Sequence, residues 1–472
     1  MTRAEPIAVV ALLMLVVPAV AHAAEVEVTP AEDLLAAVAA LQPGDTLILR
    51  EGTYELAARF GVDLVGTVEL PIIIRAADGE AVHIHRAGTD QNIVDFDAAE
   101  YLTIAGIEFS GGSAGLRFSD ARFVTLTGCE VHDTADVAVR ANDVGIVYEG
   151  FHILRNEIHH TSGTGEGMYL GCNENGCQFT GALIEGNWVH DTNGAGVSQG
   201  DGIELKEGSS DNIVRDNVVH DTGYPCLLVY ANAGSGGVNT LERNLLWNCG
   251  DHGIQAAADA VIRNNIILSS NSDGIAMQPH QSGAPANLVV VHNTVLHATN
   301  DAISVRDAVG SVTIANNALY AQQGDALFVG GDASMIAVVG NVGVGTVSGI
   351  DATLGAGDIA TDFVAASYAG VPPIDVFPAP GGALIGSGDP GTVVEDDFNC
   401  TQRAGGTPDA GAYLADASGN PGWTLRAGFK ECGGSGGDDG TTGDGGTVDD
   451  SSGGGPSEGA DSGASDASAG EA

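Results

Sequence analysis

Lysine is scarce in this chain of 472 residues: there are only two, Lys206 and Lys430. Lys206 closes the segment Asp201-Gly-Ile-Glu-Leu-Lys206, with two carboxylates beside it. Similar short segments recur along the chain, and aligning them gives columns of outward residues. One column reads Arg140, Gly171, Lys206, Tyr230, Ala257, Gln278 and Arg306, and the next reads Ala138, Tyr169, Glu204, Leu228, Gln255, Ala276 and Ser304. A third, where each strand begins, reads Ala135, Glu166, Asp201, Pro225, His252, Asp273 and Asp301. Carboxylates, an amine and aromatic faces gathered in one patch are the groups a sugar site uses. Glu166 and Asp201 stand in successive segments, within about one strand spacing of roughly 4.8 Å. Their repulsion has to be relieved by a bound cation or a shared proton.

Such columns exist only if the segments stack, and the sequence carries a stacking signal. Asn156, Asn187, Asn217, Asn244, Asn265, Asn293, Asn317 and Asn341 each precede an apolar residue by two places, and Cys129 holds the same position one turn earlier. Successive anchors are 21 to 31 residues apart, the period of a solenoid whose loops absorb the variation. Within each repeat, apolar residues alternate over short β-branched runs, as in Ala182-Leu-Ile-Glu-Gly-Asn-Trp-Val189, so the units are strands. Gly and Asn between the runs suit turns at positive φ. Short strands, about three per coil, wind into a parallel β-helix, where an inward Asn bonds the turn backbone and the Asn one coil away.

The opening reads as a helix over Pro30–Leu41, then Gln42-Pro-Gly-Asp-Thr-Leu-Ile-Leu-Arg-Glu-Gly-Thr-Tyr54 as the first strand and turn. With the repeats, it resembles the right-handed parallel β-helix, or pectin-lyase-like, superfamily over roughly residues 25–415. The resemblance implies an all-β, single-domain right-handed parallel β-helix solenoid with an N-terminal capping helix. The expected organisation is a signal peptide at 1–23, the cap at 24–41, β-helix repeats at 42–370, a closing segment at 371–432 and an acidic tail at 433–472.

In enzymes of this fold substrate lies along such a face, and the chemistry implied is β-elimination from a uronate-containing glycan. A lyase neutralises the uronate carboxylate, often with Ca²⁺, and then needs a base. On this reading Glu166, Asp201 and Glu204 hold the metal, and Lys206 is base or carboxylate clamp. Tyr169 and Tyr230 serve as acid or stacking platform, Arg140 joins the catalytic set, and Gln255, His252 and Gln278 bind substrate. The loop between Cys172 and Cys177 would roof the site. The stretch Glu204–Asn217 is similar to one in the chondroitinase B and alginate lyase family, and Asp201–Lys206 to an element of the family nine pectate lyases. Neither family's catalytic set is complete: the following strand is Cys226-Leu-Leu-Val-Tyr230, and the pectate lyase calcium motif is echoed only by Asn271-Ser-Asp-Gly274. Asp251-His-Gly253 resembles one element of the polygalacturonase-type hydrolases, without their paired aspartates.

Charge narrows the partners. The formal net charge is −45, from 62 acidic and 17 basic residues, and nine of the acids lie in the last forty residues, 433–472. A surface so acidic repels nucleic acid and anionic lipid, and favours cations. Arg3, the apolar run Ile7–Val20 and Ala21-His-Ala23 fit a secretory signal peptide, too short for a membrane span, so a secreted monomer with no transmembrane span in its mature form is expected. Cys172 with Cys177 and Cys400 with Cys432 suit disulfides, whereas Cys226 and Cys249 sit at different phases of adjacent coils and Cys129 reads as a buried thiol.

His132, His159, His190 and His220, each three residues past an anchor, read either as a turn ladder or as a transition-metal set. Two functions stay open. One is a Ca²⁺-assisted polysaccharide lyase, with a glycoside hydrolase as the lesser enzymatic option. The other is a non-catalytic surface or matrix protein that binds glycan or a partner along the solenoid face.

Overall fold

The computed structural model describes residues 23–432 apart from Ala404, Ala417, Ser418 and Glu431. The acidic tail and all but Ala23 of the expected signal peptide lie outside the described residues. From Glu25 to Ala356 every named strand pairs in parallel with the strand one coil away. Three main ladders form the faces of the helix. The first contains Leu183–Glu185 and Ile213–Arg215, and the second contains Trp188–Thr192 and Val218–Thr222. The third runs through Val139–Ala141, Met168–Leu170, Ile203–Leu205, Leu227–Val229, Ile254–Ala256, Ile275–Met277 and Ile303–Arg306. Alternate side chains of each strand point into one continuous core, where Met168, Ile203, Leu227, Ile254, Ile275 and Ile303 stack coil on coil.

The Asn anchors form the expected ladder. The Asn187 side-chain amide donates to Ile153 O at 2.8 Å and to Asn217 Oδ1 at 3.0 Å, and its backbone N–H donates to the same oxygen at 2.9 Å. The pattern repeats to Asn341. Before each anchor the chain passes through the left-handed region, at Gly128, Arg155, Gly186, Asp216, Arg243, Asn264, His292, Asn316 and Gly340. That turn takes the backbone out of the ladder, and the Asn side chain satisfies the groups left over. A second, shorter ladder that the anchor pattern did not reveal joins Asn212 to Asn239 at 2.9 Å.

The start of the solenoid differs from expectation. Its first strand is Glu25–Val28, paired with Thr46–Leu49, so a strand precedes the helix; Glu25-Val-Glu-Val28 is itself an alternating run. The helix is shorter than predicted, Leu34–Ala39, capped by the Asp33 carboxylate and anchored by buried Leu34 and Val38. At the far end, residues 363–429 do not continue the ladder. Phe363, Val376, Phe377, Phe398, Tyr413 and Phe429 pack with Val218, Leu245, Trp247, Ile266 and Tyr320 of the second ladder, which covers that face. Lys430 is part of this packing. Its ammonium donates to Phe398 O at 2.6 Å and meets Asp216 at 2.9 Å, and burial pulls its pKa down to about 8.

Disulfides join Cys172 to Cys177, Cys226 to Cys249 and Cys400 to Cys432, and Cys129 is a buried thiol. The phase difference between Cys226 and Cys249 is no obstacle, because the turn carrying Cys249 brings the two Cα atoms within 5.2 Å. The four histidines stack at 4.9, 5.0 and 5.2 Å, and Trp247 continues the stack at 4.1 Å. Asp133, Asp191 and Asp221, all left-handed, bond the Nδ1 atoms of the histidines before them at 2.8, 2.8 and 2.5 Å. From His132 to His220 the rings stack coil on coil as a turn ladder does.

Candidate active site

The third ladder carries a cleft of about 690 Å³, lined among others by Arg140, Glu166, Tyr169, Asp201, Glu204, Lys206, Tyr230, Gln255 and Gln278. Nine of the ten residues singled out from sequence therefore meet in one place. The tenth, His252, does not line the cleft. It is buried where its strand begins, its Nδ1 accepting from the Asp273 N–H at 3.1 Å and its Nε2 lying 3.4 Å from Gln278 Nε2. His252 stands at the same offset as Glu166 and Asp201, two places before a core-facing residue, but its ring is taken up by the Asp273 N–H and Gln278 and so does not meet the cleft.

Register corrects the first entry of each of the three columns by two residues. Arg140 pairs with Tyr169, and Tyr169 with Glu204, so Arg140 belongs with these two and Asn142, not Arg140, precedes Gly171 and Lys206. Likewise Val137, not Ala135, stands in line with Glu166, as both lie two residues before paired Val139 and Met168. The turn between anchor and strand differs in length from coil to coil, and counting from the anchor cannot detect a two-residue slip, which preserves facing.

At the centre Lys206 and Glu204 form a direct ion pair, both almost fully buried. The Lys206 ammonium also donates to Tyr230 Oη at 3.2 Å and stands 4.4 Å from the centre of the Tyr169 ring. Tyr230 Oη donates to Glu204 Oε1 at 3.1 Å. Burial works against the ammonium more than any other single influence, but the Glu204 charge and hydrogen bond together with Tyr169 outweigh it and raise the Lys206 pKa above the ordinary lysine value. Burial likewise raises Glu204, with Lys206 opposing. Tyr169 and Tyr230 are both raised, chiefly by burial, so each keeps its proton.

Beside this pair lie Glu166 and Asp201. One oxygen from each of Glu166, Asp201 and Glu204 falls within 4.8 Å of the others. Glu166 Oε2, Asp201 Oδ1 and Glu204 Oε2 are buried without a hydrogen-bond partner. Burial, then the charges of Glu204 and Glu166, hold the Asp201 carboxyl well above the carboxylate range. Three buried carboxylates with unpaired oxygens and one ammonium among them leave negative charge to be compensated. An all-oxygen donor set of this kind suits a hard divalent cation.

Sequence reading missed His280 and Gln281. His280 Nε2 lies 2.9 Å from Tyr230 Oη, and burial followed by the Lys206 charge lowers its pKa, so it is neutral. Gln281 donates to Asn173 Oδ1 at 2.9 Å and accepts from the Glu174 N–H at 3.3 Å, so the Cys172–Cys177 loop and the loop after Met277 clasp each other beside the cleft. The Ser282 hydroxyl donates to buried Glu207, which fixes the second loop to the coil of Lys206. A signal existed: the link from Met277 to Leu288 is longer than that from Ala256 to Ala260, and it falls at the same corner as the cysteine loop.

The family model described as "Right handed beta helix region" matches residues 183–319. No curated protein matches the chain. Among solved structures the chain is similar to XylC in complex with xylose, at 10% identity over 83% of this chain and 98% of that one, with a TM-score of 0.54. It is also similar to pectate lyase Pel9A, at 15% identity over 83% and 96% with a TM-score of 0.49. A third is an alginate lyase from Paenibacillus sp. str. FPU-7, at 22% identity over 66% and 99% with a TM-score of 0.46. At such identities the likeness is one of fold, and it agrees with the all-parallel ladders and the family model: the chain folds as a right-handed parallel β-helix.

Proposed function

We propose that this is a secreted polysaccharide lyase that cleaves uronate-containing glycan by β-elimination in the cleft of the third ladder, with Ca²⁺ as its cation. The observation that carries the reading is the trio Glu166, Asp201 and Glu204, with three unpartnered buried oxygens next to a buried lysine. Bound there, Ca²⁺ would neutralise the substrate carboxylate and acidify the adjacent C5 proton. Lys206 is the base. While paired with Glu204 it stays protonated; with Glu204 engaged as a ligand, burial favours the neutral amine a base must be. Tyr169 flanks the ammonium as a stacking face, and Tyr230, its proton secured by burial, is the acid toward the leaving oxygen. Arg140 Nη1 lies 3.7 Å from Asp136 and its Nε is buried without a partner, so its guanidinium is available to a substrate carboxylate. The three disulfides support export to an oxidising compartment, and no helix among the described residues is long and apolar enough to cross a membrane.

The test is absorbance in the unsaturated-uronate band with alginate, pectate, chondroitin and heparin-type substrates, with Ca²⁺ and then with EDTA. A Ca²⁺-dependent rise on one substrate is expected. Binding without any rise, unaffected at Lys206, would leave the alternative, a non-catalytic glycan-binding surface protein.

A stability measurement examines the cation site separately. The folded pKa of Asp201 lies above its unfolded value. The cation-free protein is therefore favoured at low pH and loses that contribution as pH rises through the folded pKa. Added CaCl2 at about 100 times its Kd should restore up to about 2.7 kcal/mol at neutral pH and much less near pH 5, where protons compete. In Asp201→Asn the gain should vanish. An equal gain at both pH values, or one that survives Asp201→Asn, would move the cation elsewhere.

A further inference from the structure

The histidine stack of the second ladder is interrupted at one rung, and that rung carries a different set of groups. The stacked histidine position runs back from His132 to Ser110 and then His85. Ser110 is too small to fill the place of a ring, and the next stacked neighbour of His132 is His83, with the ring spacing widened from 4.9 to 6.3 Å. Glu108 faces this gap from the intervening coil. His132 Nε2 is 3.1 Å and His83 Nε2 is 3.4 Å from Glu108 Oε1, and the three donor atoms all lie within 4.8 Å of one another. Bonds of about 2.0–2.2 Å in a tetrahedral site put donors roughly 3.3–3.6 Å apart, close to these separations.

The surroundings match a metal site as well. Asp133 Oδ2 bonds His132 Nδ1 at 2.8 Å, and Nε2, which donates to Glu108 in the metal-free protein, gives up that proton to ligate an ion in the gap. A carboxylate behind a histidine in this way fixes the ligating tautomer and raises its basicity. His83 Nε2 has Ser110 Oγ at 2.7 Å, but that hydroxyl also reaches His85 Nδ1 at 2.9 Å, so it can turn to His85 when His83 ligates. The side chains of His83, Glu108 and His132 are 27%, 37% and 15% exposed, enough for an ion to enter from solvent. Two imidazoles and one carboxylate from three successive coils are a borderline donor set, unlike the all-oxygen trio of the cleft.

We propose that His83, Glu108 and His132 form a second metal site, specific for a zinc-class divalent ion, which ties three N-terminal coils together and keeps a fourth position open to solvent. The site is independent of the lyase reading. It lies on a different ladder and shares no residue with the cleft.

The test is calorimetric titration of tag-free, Ca²⁺-saturated full chain with ZnCl2, with Co²⁺ absorption of the same protein as a second measurement. One equivalent of Zn²⁺ is expected, with the intense visible bands of tetrahedral Co²⁺. His83→Gln and Glu108→Gln should each weaken binding by at least about 10-fold. Glu166→Gln in the cleft and His220→Gln farther along the stack should leave it unchanged. The absence of a Zn²⁺ equivalent in the unaltered chain, or an equivalent that persists in folded His83→Gln, would overturn the proposal. Should the variants fail to fold, octahedral Co²⁺ bands in the unaltered chain would do the same.

Discussion

Lys206→Arg should lose elimination activity by about 10²–10⁴-fold while the protein keeps its fold and most of its thermal stability. Arginine preserves the cation beside Glu204 and the contacts with the Tyr169 and Tyr230 rings, so the buried ion pair survives. It cannot shed its proton at accessible pH, so it cannot act as the base. Lys206→Ala makes a useful contrast. It should lose activity to the same degree and also destabilise the coil, because truncating one partner of a buried pair leaves an uncompensated charge worth about 3–5 kcal/mol. Comparing rates and melting temperatures of the two variants separates chemistry from folding. Near-normal turnover by Lys206→Arg would remove Lys206 from the role of base.

The second large effect belongs to the Asn ladder. Asn217→Ala removes an oxygen that accepts from both the backbone N–H and the side-chain amide of Asn187, and an amide that serves Ile184 O and Asn244 Oδ1. All of this lies in the fully buried interior, so at least two donors lose their partners and no water replaces them. A loss of about 3–5 kcal/mol, read from urea unfolding, is expected. Cys129 shows where the ladder tolerates a different residue. At its first rung the Cys129 N–H still donates to Asn156 Oδ1 at 2.9 Å, and the side chain serves no earlier Asn. Asn217→Cys in the middle should therefore be costly, and Cys129→Asn mild. If Asn217→Ala unfolds at the unaltered urea midpoint, the ladder adds little to stability.

The repeat, the strand character and the inward anchors were legible because they follow from local rules. A period-two apolar pattern faces one side of a sheet, and an Asn after a left-handed residue has one set of backbone groups within reach. The choice of Glu166, Asp201, Glu204, Lys206 and Tyr230 followed from the same periodicity. These residues flank core positions at constant offsets, so stacking the coils brings them together whatever the loops do.

Other features depended on distances that no local pattern encodes. Arg140 was shifted by two residues because turn length is free to vary while facing is preserved. His252 was drawn to the Asp273 N–H and Gln278, and His280 arrived from a loop whose path is set by contacts with Asn173, Glu174 and Glu207. The Cys226–Cys249 bond and the packing of residues 363–429 against the second ladder were likewise decided in three dimensions. By itself, then, the sequence determined a parallel β-helix and the face that bears its carboxylates, since both rest on spacing along the chain, while its right hand came only from the family resemblance. Only the tertiary structure decided which carboxylate oxygens lack partners and where Ser110 opens a gap between histidines, because burial and pairing are properties of neighbouring coils rather than of any one segment.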